Sequence, residues 1–247
     1  MPWPLPTADA DILALAKAYP FAAPGESYLF RDGAASALND VAPEVFAGRT
    51  AVLAHGSNRS PDQLRRKYGT AAEIPVTRAW LGDHDVVYSA HVTQYGSIAA
   101  DLRHAPGVRA CVYVTWLTEV QLARMHETEL GGENYRFGVL ERIDLTLEMG
   151  PAEGLRETHV YLSSRGVLAA EGRPQGLAAV ESEGRRHGEL PQHGALEAVR
   201  ARHREHEPLD RFILANVRDP ARRKGLIAEM RAHALPPSAP HFRALRS

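Results

Sequence analysis

Residues 50–63 read Thr50-Ala51-Val52-Leu53-Ala54-His55-Gly56-Ser57-Asn58-Arg59-Ser60-Pro61-Asp62-Gln63. Thr50 to Ala54 is a short apolar run of the kind that makes a buried strand. It stops at a glycine turn. Ser60 then reads as a helix cap, Pro61 suits the first helical position, and Gln63 completes a capping box. Gly69 closes that helix. The stretch therefore predicts strand, turn, helix. Such a turn gathers free backbone N–H groups at one point. Glycine there lets a ligand come close, and the helix start favours negative charge. A carboxylate, a phosphate or a developing oxyanion would fit. A plain structural connection has the same pattern, so the turn alone assigns no chemistry.

Downstream, residues 76–79, 85–92, 97–102 and 109–117 are runs rich in Val, Tyr, Trp and Ile. Gly82-Asp83, Tyr95-Gly96 and Ala105-Pro106-Gly107 separate them, so they read as strands punctuated by turns. Thr118-Glu119-Val120-Gln121 is a second capping box, opening a helix through about Glu129 that Gly131-Gly132 ends. Residues 136–147 and 157–163 read as two more strands. From Gly176 the pattern turns helical. Leu196, Val199 and His203, then Leu209, Phe212, Ile213 and Val217 after Pro208, follow helical spacing. Upstream, residues 8–18 predict one short helix ended near Pro20, and 20–47 give no firm element. Strands in the middle with few helices between them predict an α+β fold with a curled or barrel sheet, not a doubly wound one.

Composition bounds the function. A chain of 247 residues fits one elaborated domain or two small ones, and 44% hydrophobic residues suffice for a sizeable core. Lys and Arg number 29 against 30 Asp and Glu, a net charge of −1. That balance excludes a general nucleic-acid binder, which needs a basic excess. The single cysteine, Cys111, excludes an internal disulfide and a thiolate-rich zinc site. It alternates with strand residues and reads as a core filler. No apolar run approaches the roughly 18 residues of a membrane span. Met1-Pro2-Trp3-Pro4-Leu5-Pro6 lacks the basic and apolar regions of a signal peptide, so a soluble, cytoplasmic protein is expected. Lysine occurs only at Lys17, Lys67 and Lys224. Cations outnumber acids over 199–247, but Glu205, Glu207, Asp210, Asp219 and Glu229 interrupt them. A solvated helical surface is the simpler reading than a tail for an anionic partner.

A carboxylate cluster, Glu127, Glu129 and Glu133, stands beside Asn134-Tyr135. Glu127 and Glu129 fall in the last turn of their helix. There the helix dipole and neighbouring carboxylates disfavour negative charge, which would raise a pKa from about 4.3 toward neutrality. A general base or acid needs such a value. Nothing local selects Glu129 over Glu127 or Glu133. Ser57 near His55 invites a serine-hydrolase reading, but the nucleophile elbow needs Gly-x-Ser-x-Gly. Of 12 histidines, His203 and His206 come close together amid arginines that oppose a dication, so no metal site is expected. His84 and His91 read as structural or exposed.

Taken in order, Gly56-Ser57-Asn58 after a strand, Ser97-Ile98-Ala99-Ala100 after a glycine, Leu117-Thr118 before a helix, and Glu129 ahead of Tyr135 resemble the gamma-glutamylcyclotransferase-like family. That family's signature turn is Tyr-Gly-Ser-Asn. Its catalytic glutamate lies in a Leu-Asp-x-x-Glu segment, similar to Met125-His126-Glu127-Thr128-Glu129. Gly188-Glu189-Leu190-Pro191 resembles its Gly-Leu-Pro stretch. The resemblance covers roughly residues 50–200. It implies an N-terminal extension (1–47), a catalytic domain (48–204) on a small mixed β-barrel with packed helices, and a helical basic C-terminal extension (205–247). It implies release of 5-oxoproline from a gamma-glutamyl amine or peptide, with Glu129 as acid–base. His55, Gly56, Ser57, Asn58, Gly96, Ser97, Ile98 and Tyr135 would line the substrate site. No metal, cofactor, nucleic acid or membrane is implied as a partner, and the oligomeric state stays open. Two departures stand out: His55 replaces the usual tyrosine, and Leu130 follows Glu129 where glycine is common. A non-catalytic carboxylate-binding protein on the same fold is the alternative.

Overall fold

In a computed structural model, which describes residues 5–38, 42–131, 134–204 and 206–246, helix α1 (Asp9–Lys17) precedes a hairpin of β1 (Tyr28–Arg31) and β2 (Ala34–Ala37). Strand β3 (Thr50–Ala54) then runs through a 3-10 turn (Ser57–Arg59) into α2 (Pro61–Tyr68). Next come β4 (Ile74–Val92), β5 (Ile98–Leu117), α3 (Glu119–Glu129), β6 (Tyr135–Leu147) and β7 (Gly154–Ser163). Five two-residue strands follow: β8 (Ala169–Ala170), β9 (Arg173–Pro174), β10 (Gly176–Leu177), β11 (Ser182–Glu183) and β12 (Glu189–Leu190). Helices α4 (Gln192–His203), α5 (Leu209–Arg218) and α6 (Pro220–Arg231) and strand β13 (Phe242–Arg246) complete the chain.

The fold is α+β around a closed five-stranded barrel. Its strands pair in the order β5, β3, β7, β6, β4, and β4 returns to β5. All these pairings are antiparallel except that of β3 with β7. Closure requires strands that bend. β4 and β5 do so at bulges, including the register shift between Gly82 and His84. Gly82-Asp83 and Ala105-Pro106-Gly107 therefore mark a bulge, not the turns expected from the sequence. Asp83 Oδ1 accepts the Gly107 N–H at 2.8 Å and holds the bulged segments together. The turn at Tyr95-Gly96 does form, and it joins the two long strands. Gly96 sits at φ +90°, and a Cβ there would lie 2.9 Å from Val217 Cγ2. Both the backbone and the packing of α5 thus demand glycine.

Two further expectations change. Residues 176–191 hold short strands, and helix begins only at Gln192, because the segment hydrogen-bonds to β4, β5 and itself. The box at Ser60-Gln63 does not close: Ser60 makes no side-chain cap. The box at Thr118-Gln121 does close in both directions, at 3.3 and 3.0 Å.

Leu15, Ala16 and Tyr19 near the N-terminus share one buried cluster with Leu81, Val112, Leu140 and Val160 of the barrel. Phe212, Ile213, Leu226 and Met230 from the C-terminal helices belong to the same cluster. A second cluster, including Leu64, Met125, Phe137 and Tyr161, seats α2 and α3 on the barrel. Each such side chain contributes about 1.5–3 kcal/mol on full burial, enough to hold both helices in place. No helix among the described residues is long and apolar enough to cross a membrane.

Beneath β7, Asp101 is buried and accepts the Ser163 N–H at 2.9 Å. Burial pushes its carboxyl up to about 7, opposed by hydrogen bonds from Ser163 and Leu102 and by the charges of Arg136 and Arg103. The folded state therefore holds a proton that the unfolded chain releases. This contribution is complete below the unfolded pKa near 3.9 and is lost as pH rises toward 7. Asp101→Asn keeps the acceptor and removes the titration. Urea midpoints should show wild type losing roughly 2 kcal/mol more than the variant between about pH 5 and 7. Parallel profiles would contradict the buried proton.

Candidate active site

Strand β3 delivers His55, and the 3-10 turn places Ser57 and Asn58 just beyond it. The turn's own hydrogen bonds begin with Arg59 N–H to Gly56 O and Ser60 N–H to Ser57 O. The Ser57 and Asn58 amides are not used by the turn itself. Opposite, the last residue of α3 is Glu129. Asn58 Nδ2 donates to Glu129 Oε1 at 3.0 Å, so the turn and the glutamate meet directly. Of the two carboxylates of this cluster that are described, Glu129 is the one that meets the turn. Glu127 is exposed and pairs with Arg124 at 2.6 Å. Glu133 lies outside the described residues.

A residue the sequence reading passed over completes the contact. Lys67 Nζ makes an ion pair and hydrogen bond with Glu129 Oε1. The Lys67 side chain is 3% exposed and that of Glu129 15%. Burial by itself would raise the Glu129 carboxyl. The Lys67 ammonium and the Asn58 amide outweigh it and hold the group below the ordinary carboxylate range. This reverses the expected direction, because the helix-end argument omitted a cation from the neighbouring helix. Burial lowers the Lys67 ammonium, and Glu129 opposes that shift. A signal did exist: lysine is scarce here, and Lys67 sits three residues after Leu64 on the inward face of α2.

Lys67 and Glu129 open onto a cavity of about 690 Å³. Ser57, Gln63, Lys67, Glu129 and Tyr135 line it, with Tyr19, His91 and Tyr95. Burial raises the hydroxyls of Tyr19, Tyr95 and Tyr135, so all three stay protonated donors. The Tyr95 hydroxyl hydrogen-bonds with Ser57 and Thr93. His91, expected to be structural or exposed, stands edge to face with Tyr135 at 5.9 Å between ring centres. Burial pushes it down to about 3, with Arg165 and Arg223 acting in the same direction. Burial pushes His55 down to about 4, against the pull of Glu129. Both imidazoles are therefore neutral at pH 7. Buried atoms without a hydrogen-bond partner among the described residues include His55 Nδ1, Asn58 Oδ1, Gln63 Oε1 and His91 Nδ1. Gln63 and His91 line the cavity while His55 and Asn58 are not among its lining residues, and unsatisfied polar atoms on a cavity wall are what a polar ligand would satisfy.

Other expected site residues sit elsewhere. Gly56 does not leave room for a ligand, because a Cβ there would lie 2.6 Å from the Tyr19 hydroxyl. That hydroxyl accepts the Ala100 N–H at 2.8 Å, which fixes Tyr19 in place. Gly96, Ser97 and Ile98 support the cavity from behind. Gly96 packs on α5, Ser97 Oγ donates to Ala16 O at 2.8 Å, and Ile98 is wholly buried. The lining in this stretch comes from Val92, Thr93, Gln94 and Tyr95 just before them. The site also draws on both ends of the chain, through Tyr19, Arg223 and Ile227.

No family model and no curated protein sequence matches the chain. Among solved structures it is similar to a gamma-glutamyl cyclotransferase, with 19% identity and a TM-score of 0.36. That match covers 46% of this chain and 66% of the other, just under two thirds of its length. It is also similar to an Arabidopsis thaliana protein of known solution structure, with 15% identity, a TM-score of 0.36, and coverage of 47% and 70%.

Proposed function

We propose that this cavity catalyses a gamma-glutamyl cyclotransferase-type reaction, in which a gamma-glutamyl compound closes on itself and releases 5-oxoproline. The observation that carries the reading is the 3.0 Å contact joining Asn58 of the turn to the buried Glu129 on the wall of one cavity. The substrate's α-nitrogen forms a bond to its own γ-carbonyl carbon. The bond from that carbon to the leaving nitrogen breaks. Glu129 takes the proton from the attacking nitrogen and returns it to the departing amine. The lowered carboxyl suits the first half of that cycle, since Glu129 is ionised at neutral pH. Lys67 helps a second way. An α-ammonium near pKa 8, brought beside a buried cation, loses its proton more readily. In this reading the amides of Ser57 and Asn58 receive the tetrahedral oxyanion or the α-carboxylate. Tyr135 offers a further hydroxyl. Such chemistry needs proton transfer and oxyanion donors alone, so no metal or cofactor enters it. The proposed proton-transfer and anion-binding groups fall within the 48–204 segment, and the flanking segments add Tyr19, Arg223 and Ile227 to the wall.

The test is a panel of gamma-glutamyl dipeptides and amines incubated with the wild type. The expected products are 5-oxoproline and free amine in equal amounts. Free glutamate in place of 5-oxoproline would indicate hydrolysis and overturn the proposal. A binding-only role draws support from the Lys67–Glu129 pair, which engages the base directly. Calorimetric binding of these compounds with none consumed would favour it.

A further inference from the structure

Five charged side chains line the cavity: Lys67, Arg124, Glu127, Glu129 and Arg223. Four cancel in pairs, Lys67 with Glu129 and Arg124 with Glu127. Arg223 makes no ion pair among the described residues; the Asp219 carboxylate at the start of its helix acts on it without a direct contact. Its neighbours in the C-terminal segment differ in this respect. Arg204 pairs with Glu229, Arg218 with Asp9, and Arg222 with Glu207. Arg223 Nη1 instead donates to the carbonyls of Asn216 and Val217, at 2.6 and 3.2 Å. These bonds fix the guanidinium across the α5–α6 junction. A guanidinium also carries donors on its other nitrogens, in a fork that matches a carboxylate. Its charge is felt at His91, which lines the same cavity. Ile227, one helical turn later, presents an apolar surface beside it.

We propose that Arg223 is a specificity-determining residue that receives a second anionic group of the ligand, a carboxylate on the portion released as amine. The inference rests on the cyclotransferase reading for the name of the substrate, but not for the existence of the anion site. The excess of positive charge among the described lining residues and this cation outside any ion pair select a gamma-glutamyl amino acid or peptide over a gamma-glutamyl amine without charge. The basic C-terminal segment thereby acts inside the site, while Arg204, Arg218 and Arg222 are taken up in ion pairs.

The test uses the full chain and two ligand pairs. Glutarylglycine and glutarylglycinamide lack the α-amine, cannot cyclise, and differ only in the distal carboxylate. Calorimetry on wild type should show the carboxylate bound about 10–100-fold more tightly, the range for one charged hydrogen-bonded contact. Arg223→Gln keeps a donor for the Asn216 and Val217 carbonyls and removes the charge. It should erase the preference and leave glutarylglycinamide affinity unchanged. Arg223→Lys should retain part of it. Equal affinities of the two ligands for wild type, or an undiminished preference in Arg223→Gln, would overturn the proposal. The second pair, gamma-glutamylglycine and gamma-glutamylglycinamide, reads kcat and KM separately, and Arg223→Gln should raise KM for the former only. Turnover with an unchanged ratio leaves the reaction standing and removes Arg223. A lost binding preference without any turnover does the reverse.

Discussion

Glu129→Gln is expected to lower 5-oxoproline release about 10²–10⁴-fold, because the amide keeps the shape of the carboxyl but carries no transferable proton. It also disturbs its surroundings. Lys67 is left with a buried ammonium and no carboxylate. Removing one member of a buried pair costs about 3–5 kcal/mol. Loss of activity must therefore be separated from loss of fold. Combining Glu129→Gln with Lys67→Met removes both charges, and should restore most of the stability while leaving turnover at the level of the single variant. Chromatographic detection of 5-oxoproline alongside urea unfolding reads both effects. Unchanged turnover in Glu129→Gln would take Glu129 out of the chemistry.

Lys67→Met is expected to invert the pH dependence of stability that Glu129 contributes. In the wild type the folded carboxyl lies below its unfolded value. That contribution is present above the unfolded pKa and is lost as pH falls through the folded one. Without the ammonium, burial dominates and lifts the carboxyl above its unfolded value. The contribution then holds at low pH and is lost as pH rises. The variant should be destabilised by about 3–5 kcal/mol at neutral pH and recover on acidification. Urea midpoints taken from about pH 4 to 8 for both proteins give the comparison. Profiles that stay parallel would mean the pair is not electrostatically coupled. If the variant turns over substrate, the acid limb of its pH–rate profile should move upward, since that limb reports the base.

Much of the architecture was readable from local patterns. The run Thr50–Ala54, the helix behind Pro61 and the closed box at Thr118-Gln121 all appear where the residues place them. Local signals failed where tertiary pairing competes with them. Gly82-Asp83 has turn composition, yet β4 and β5 continue past it because barrel closure uses the distortion as a bend. Gln63 has the spacing of a capping residue, but it lines the cavity. The segment from Gly176 has no strand period, since two-residue strands are too short to show one.

The amino-acid order alone specified the strand–turn–helix at residues 50–68, the helix ending at Glu129 and the short list of carboxylates, because each depends on neighbours within a few positions. Bringing Glu129 against the turn, charging it through Lys67 and enclosing it with Tyr19 and Arg223 fell to the tertiary structure. Those partners lie 62, 110 and 94 positions away along the chain. Electrostatic coupling and burial depend on distance through space, and only barrel closure and the packing of both chain ends bring such groups within reach.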